Sequence, residues 1–220
     1  MNSPLASQAL FHIGPVPVSA QVVTTWAIIA VLTLFAWLAT RRLNVTAPGK
    51  LQAVAELIVA TLQQQIRSTM RVDPAPYLPL IGTLFLYILC ANLSSLVPGN
   101  EPPTAHIETD AALALIVFGA TVAYGVRVRG LRGYLKSFAN PTWVMIPLNL
   151  VETITRTFSL MVRLFGNMMS GVFVIGIVLS LAGLLVPIPF MALDVLTGVI
   201  QAYIFSVLAM VFIGAATGEE

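Results

Sequence analysis

The chain has 220 residues, of which 58% are hydrophobic and 9% are charged, and its mean hydropathy is +0.91. These values exclude an ordinary soluble globular protein and predict an integral membrane protein. The net charge of +2 gives no reason to expect a nucleic-acid partner, because in a membrane protein the placement of the charges matters more than their sum.

The first predicted element is a membrane span over residues 19 to 40. It holds about twenty residues of apolar character, the length that crosses a hydrocarbon core of ~30 Å, and Arg41 and Arg42 end it. No Lys or Arg precedes Arg41, so we expect this span to be retained rather than cleaved as a signal peptide. In residues 49 to 70, apolar side chains recur at helical spacing but are interrupted by Gln, Glu and Arg. This pattern indicates an amphipathic helix along the membrane interface.

Residues 76 to 97 and 111 to 126 predict two further spans, which form a membrane hairpin around the polar loop PGNEPPTAHIETD. After a basic stretch, two long apolar segments, 141 to 186 and 188 to 216, meet at a Pro-Ile-Pro sequence. A helix of about forty residues is ~60 Å long, roughly twice the hydrocarbon thickness, so both helices should be strongly tilted. The predicted fold is all-α: one membrane domain over residues 1 to 220, with about five spans and one interfacial helix.

The placement of charged residues predicts the orientation of these spans. Five basic residues follow the first span and four follow the hairpin, and both groups should be cytoplasmic by the positive-inside rule. The hairpin loop carries Glu101, Glu108 and Asp110 without Lys or Arg, and the N-terminus is equally free of basic residues. We therefore expect the N-terminus outside and the C-terminus in the cytoplasm.

Four charged residues remain inside apolar sequence: Glu152, Arg156, Arg163 and Asp194. Each costs about 2.5 to 3.5 kcal/mol at the membrane centre, so such residues usually face a water-filled cavity, a partner or a transport path. On one long helix, steps of three or four residues place a set of polar side chains on one face. This polar stripe comprises Asn149, Glu152, Arg156, Ser159, Arg163, Asn167 and Ser170. Asp194, Thr197 and Gln201 repeat the pattern on the final helix.

These residues also have plainer structural interpretations. Glu152 and Arg156 are four residues apart and could form a local ion pair. Gln201 could make an interhelical hydrogen bond, and Asp194 could be a satisfied buried residue. Arg163 fits a packing role least well, because the nearest acidic residue on its own helix is three turns away.

Other chemistries find little support in the sequence. The two histidines, His12 and His106, are expected in loops, and no metal-binding, phosphate-binding or nucleophile-elbow motif occurs. We therefore expect no catalytic residue, no metal and no cofactor on this chain.

Several stretches carry a resemblance to one family. LMVRLFGNM at 160 to 168 and IQAYIFSVL at 200 to 208 resemble subunit a of the F-type ATP synthase. HIGPVPV at 12 to 18, LPLIGTLFLYILCANLSSLVPG at 78 to 99 and PLNL at 147 to 150 also resemble that family. The resemblance covers nearly the whole chain.

The resemblance implies an ion-path subunit that works against a rotating ring of c subunits in a bacterial plasma membrane. It also implies b-type peripheral stalk subunits and the remainder of the synthase as partners, with membrane lipid around the chain. Arg163 takes the place of the stator arginine, and Gln201 that of the polar residue opposite it. A nucleotide would bind to another subunit, and the translocated ion would be a proton or sodium.

This chain departs from the family pattern in the expected access half of the path. Val172 stands where many relatives have an acid or histidine, and Asp194 stands where relatives carry His or Glu. Asn149 replaces a common acid, with Glu152 as a substitute one helical turn further on. His106 and Glu108 replace the Asp and Asn of the hairpin loop.

Two other classes of protein remain as alternatives. A self-contained transporter or channel with a midplane charged site would also explain buried charge, but it should move ions when purified alone. A membrane scaffold would tolerate replacement of Arg163.

Overall fold

The structure, a computed structural model, describes residues 9 to 13, 16 to 41, 49 to 97, 102 to 138, 143, 145 to 183 and 185 to 218. Two short antiparallel strands, β1 (Ala9–Ile13) and β2 (Val16–Ser19), precede the first helix. No pattern in the sequence predicts these strands. His12 was expected in a loop, but it lies in β1. Pro17 lies in β2, and a proline in so short a run weakens any strand signal in the sequence.

Six α-helices make up most of the described chain. They are α1 (Ala20–Thr40), α2 (Lys50–Met70), α3 (Leu78–Leu93), α4 (Ile107–Phe138), α5 (Met145–Ala182) and α6 (Ile188–Thr217). All except α2 are long and apolar enough to cross a membrane. This confirms the predicted class, a polytopic all-α membrane protein, to which the short hairpin is the only β addition within the described residues. The tilt of the long helices stays a prediction.

The fourth helix is longer at both ends than the span predicted at 111 to 126. It begins at Ile107, inside the stretch predicted as a loop, and it continues through the basic segment to Phe138. At Gly130 the backbone has φ 72° and ψ 158°, which is not helical, so the helix kinks there. A residue without a Cβ adopts this conformation readily. The part of the helix after Gly130 can therefore take a new direction.

The last helix is the centre of the bundle. Of its apolar span, 44% is buried, compared with 11% of the span in α5. The core residues come from five helices: Ile66 and Met70 of α2, Ile81 and Ile88 of α3, Leu113 and Val117 of α4, Leu160 and Leu164 of α5, and Phe205 and Ile213 of α6. The long helix α5 therefore packs on the bundle by one narrow side and leaves most of its surface uncovered.

α5 and α6 run antiparallel. Near one end Arg156 of α5 lies over the ring of Phe212 of α6, 5.5 Å from its centroid. Near the other end Gly171 of α5 lies against Asp194 of α6. At 1.5 Å per residue α5 is about 57 Å long and α6 about 45 Å, so both exceed the ~30 Å hydrocarbon thickness.

Candidate ion-path site

Arg163 lies on the uncovered side of α5. Leu160, Leu164 and Met168 are at most 2% exposed and follow one another at four-residue steps, which defines the packed side of the helix. Arg163 precedes Leu164 and is rotated from it by about 100°, so its side chain is exposed. Among the described residues, no side chain forms a hydrogen bond or ion pair with the Arg163 guanidinium.

An open groove of about 530 Å³ runs beside this arginine. Glu152, Arg156, Ser159 and Arg163 of the polar stripe line it together with Leu208 and Phe212 of α6. The fold therefore brings four of the seven stripe residues to one uncovered surface. A guanidinium in such a groove can attract an anionic group from a partner that approaches this face.

Arg156 differs from Arg163 because it has a local partner. Its guanidinium donates a hydrogen bond to Oε1 of Glu152, one helical turn away, and it also lies over Phe212. The two charged side chains are 43% and 51% exposed. The ion pair that the sequence suggested is thus present, and it occupies Arg156 but leaves Arg163 free.

A second cavity, of about 160 Å³, lies between α4, α5 and α6. Polar side chains line much of it: Thr121 and Tyr134 of α4, and Asn149, Glu152, Thr153, Arg156 and Thr157 of α5. Tyr134 reaches this place because the chain bends at Gly130 and the ring packs against Gly125. We call this the α4–α5–α6 cavity, and it can hold water beside the Glu152–Arg156 pair.

Asp194 lies at the opposite end of α5. It is 7% exposed. A side-chain carbon at Gly171 would collide with its Oδ1. The absence of a Cβ at 171 therefore lets a buried carboxyl of α6 sit directly on the backbone of α5.

A satisfied polar network lies next to Asp194. Nδ2 of Asn92, a residue only 2% exposed, donates to the carbonyl oxygen of Gly198 at 2.8 Å. Oδ1 of Asn92 accepts a hydrogen bond from Oγ1 of the fully buried Thr104 at 2.7 Å. Gly198 lies one turn beyond Asp194 on α6. These contacts fix the polar face of α6 against α3 and the short 3-10 helix Pro103–Ala105.

Gln201 continues the same face of α6. It is 6% exposed, and its Nε2 is buried without a hydrogen-bond partner among the described residues. The resemblance placed this residue opposite the arginine, but no hydrogen bond joins it to Arg163. The two side chains differ in burial, because Gln201 is only 6% exposed whereas Arg163 is exposed.

The remaining predicted residues fall in three places. Asn167 is half-buried and Ser170 exposed; the Ser170 hydroxyl donates to the Asn167 carbonyl oxygen at 2.9 Å. His106 is half-buried, and one of its ring nitrogens lies 2.9 Å from Nε2 of Gln21 on α1. Glu108 is exposed at the start of α4. In the same helical turn, the buried acidic residue is Asp110, which was expected in the loop.

Arg163 lies between the two polar regions along the helix axis. It is seven residues from Arg156 and eight from Gly171, or about 10 Å and about 12 Å at 1.5 Å per residue. On one side is the α4–α5–α6 cavity, and on the other is the network around Asp194. A positive charge therefore separates two polar regions that belong to opposite ends of the bundle.

Comparison with known proteins identifies the family of the chain. Residues 22 to 214 match the family model described as ATP synthase A chain. The chain is 59% identical to ATP synthase subunit a 2 of a Bradyrhizobium species over 99% of its length and 97% of that protein. It is 47% identical to ATP synthase subunit a 1 of Chlorobaculum parvum, over 94% of this chain and 92% of that one. It is also 45% identical to ATP synthase subunit a of Albidiferax ferrireducens, over 93% and 89% of the two chains. The chain therefore belongs to the ATP synthase A chain family.

Proposed function

We propose that this chain is the ion-translocating stator subunit of an F-type ATP synthase, and that Arg163 is the charge that faces the rotating c-ring. The observation that carries the proposal is the unpaired guanidinium of Arg163 in an open groove on the uncovered side of α5. A permanent charge on the outside of a membrane bundle is unfavourable unless a partner of opposite charge meets it there. A carboxylate on a rotor subunit supplies that charge.

The chemistry of arginine suits this role. A rotor carboxylate must be neutral, by protonation or by bound sodium, to face lipid, and it must be ionised to be held opposite the stator. Arg163 would attract the ionised form and so favour release of the ion as each rotor site arrives. Because a guanidinium is not deprotonated in proteins, it cannot pass protons along the path itself.

The two polar regions supply the halves of the path. The α4–α5–α6 cavity, with Asn149, Glu152 and Arg156, forms the cytoplasmic half-channel. The polar region around Asp194, with Asn92 and Gln201, forms the half-channel that opens outside. Ser159, Asn167 and Ser170 continue the polar stripe along the rotor. Arg163 lies between the two half-channels, so an ion passes from one to the other only while it is bound to the rotating c-ring.

The setting follows from the same proposal. The chain is one multi-pass domain of a bacterial plasma membrane, with its N-terminus outside and its C-terminus in the cytoplasm. The long helix α5 is tilted so that its polar stripe follows successive rotor sites. Its partners are the c-ring, b-type stalk subunits, the rest of the synthase, lipid, and a translocated proton or sodium ion. The chain itself holds no cofactor, and the runner-up, a self-contained transporter, gains no support from the family.

Cross-linking tests whether the groove faces the ring. In a Cys90→Ser background, Ser159→Cys should form a disulfide with a c subunit that carries one cysteine beside its ion-binding carboxylate. The matched control is Val31→Cys, which is 64% exposed on α1, a helix that packs against α2 and α3. Cross-linking at position 159 and none at 31 is expected. Cross-linking at 31 but none at 159 would contradict the proposed face.

A further inference from the structure

Asp110 carries a buried carboxyl group that has no hydrogen-bond partner among the described residues. It lies in the first turn of α4 and is 0% exposed. Neither carboxylate oxygen accepts a hydrogen bond from any described residue. Two positions earlier, Glu108 points outward and is exposed. The same helical turn therefore holds one acid in contact with the surroundings and one sealed inside the bundle.

Two polar contacts join α1 to the residue before α4 and to α3. On α1, Gln21 contacts His106 at 2.9 Å, and one turn further along Oγ1 of Thr25 lies 3.3 Å from the hydroxyl of Tyr87 on α3. Asp110 lies one turn beyond His106 on α4. The half-buried contact between Gln21 and His106 therefore lies one helical turn before the buried Asp110.

A structural role explains this arrangement poorly. Buried polar groups that stabilise a fold are normally satisfied by hydrogen bonds, as Asn92 and Thr104 are in the same region. An ionised carboxylate in an apolar site without a partner is strongly unfavourable, so the group must be neutralised by a proton or by a bound cation. The half-buried polar contact of Gln21 with His106, one helical turn before Asp110, is a polar entry point for such a cation.

We propose that Asp110 is an ion-binding residue of the outer half-channel, reached through the mouth formed by Gln21 and His106, where it takes a proton or a monovalent cation. The proposal rests on the function assigned above and adds an ion-binding site before Asp194. It also gives α1 a part in the path, through Gln21 and Thr25. The exposed Glu108, which the resemblance indicated, has no part in it.

The test measures the ion requirement separately from the two sides. The assembled complex is reconstituted in liposomes at a fixed potassium diffusion potential. ATP synthesis is measured while the outer-side concentration of sodium chloride, or of protons in sodium-free buffer, is varied. ATP-driven uptake is measured while the same ions are varied on the cytoplasmic side. The variant is Asp110→Asn, which removes the charge at nearly constant volume, and the matched control is Glu108→Gln.

For whichever ion drives the wild-type complex, Asp110→Asn should raise the half-saturating concentration on the outer side about tenfold, equivalent to about 1.4 kcal/mol of binding. The cytoplasmic-side value should not change, and Glu108→Gln should change neither. An unchanged outer-side value, or an equal rise on both sides, would overturn the proposal. If Asp110→Asn does not assemble, Tyr87→Phe replaces it and should give a smaller rise on the outer side only; no rise there would overturn the proposal equally. Failure of the proposed function would appear differently, as normal coupling of ion flow to ATP synthesis in complexes in which Arg163 has been replaced.

Discussion

The carboxyl of Asp194 on α6 lies directly against the backbone of Gly171 on α5, where a side-chain carbon would collide with its Oδ1. The contact joins the helix that carries the unpaired arginine to the helix that carries the buried acid. Because Asp194 is only 7% exposed and lies against this backbone, the carboxyl has little room to move away. The position of this acid therefore depends on a residue that has no side chain.

Gly171→Ala should displace Asp194 and strongly slow coupled ion transport. In an unhindered helix the same change would stabilise by about 1 kcal/mol, so any loss of stability here reports the collision. Gly176→Ala is the matched control, since a Cβ at 176 on the same helix meets nothing within 4 Å. Thermal unfolding and ion-driven ATP synthesis of the purified complex should fall for position 171 and hold or improve for 176. If the two variants had equal thermal stability and equal ATP synthesis, the contact between Asp194 and Gly171 would have no functional role.

Arg156→Ala should be mild. The Glu152–Arg156 pair is about half exposed, and such pairs contribute roughly 0 to 1 kcal/mol. We expect the amount of assembled complex or the rate of transport to fall by a few-fold, with the ratio of ions moved to ATP hydrolysed unchanged. Measurement of both quantities in the same vesicles checks this. A complete loss of coupling in Arg156→Ala would indicate that the wrong arginine has been assigned to the rotor.

The orientation can be tested with two exposed apolar positions on α4, one at each end. Ile107 is 46% exposed and Leu131 62% exposed. In a Cys90→Ser background, a membrane-impermeant maleimide should label Ile107→Cys from outside and Leu131→Cys only from the cytoplasm. The expectation follows from the basic residues on both sides of Gly130, which are Arg127, Arg129, Arg132 and Lys136. Labelling of position 107 from the cytoplasmic side would reverse the topology.

The sequence predicted the membrane class and the long helices because length, hydropathy and flanking charge determine them locally. Where the structure differs, the cause is not local. Arg127 and Arg129 indicated that the span ended near residue 126, yet the helix continues, because basic residues are good helix formers and only Gly130 interrupts it. The β1–β2 hairpin was missed because the strands are too short to show a periodic pattern.

The candidate site could be predicted only in part. Steps of three and four residues gave the polar stripe of α5, and the unpaired Arg163 stood out because no acid lies near it in sequence. Asp110 was overlooked because it belongs to a proline-rich polar loop in the sequence, and its burial depends on tertiary packing that the sequence pattern does not show. Its spacing of four residues from His106 was the available signal. Nothing in the sequence showed that Gln201 is buried whereas Arg163 is exposed.

The central claim is that Arg163 couples ion flow to the rotor, and ion-gradient-driven ATP synthesis in Arg163 variants tests it most directly. The membranes must contain equal amounts of assembled complex, with ATP hydrolysis by the soluble head as the control for assembly. Arg163→Ala should abolish synthesis and leave hydrolysis and passive ion leak in place or increased. Arg163→Lys should also fail, because a compact ammonium has a different reach and can lose its proton in a dry site. Normal ATP synthesis in Arg163→Ala would contradict the account.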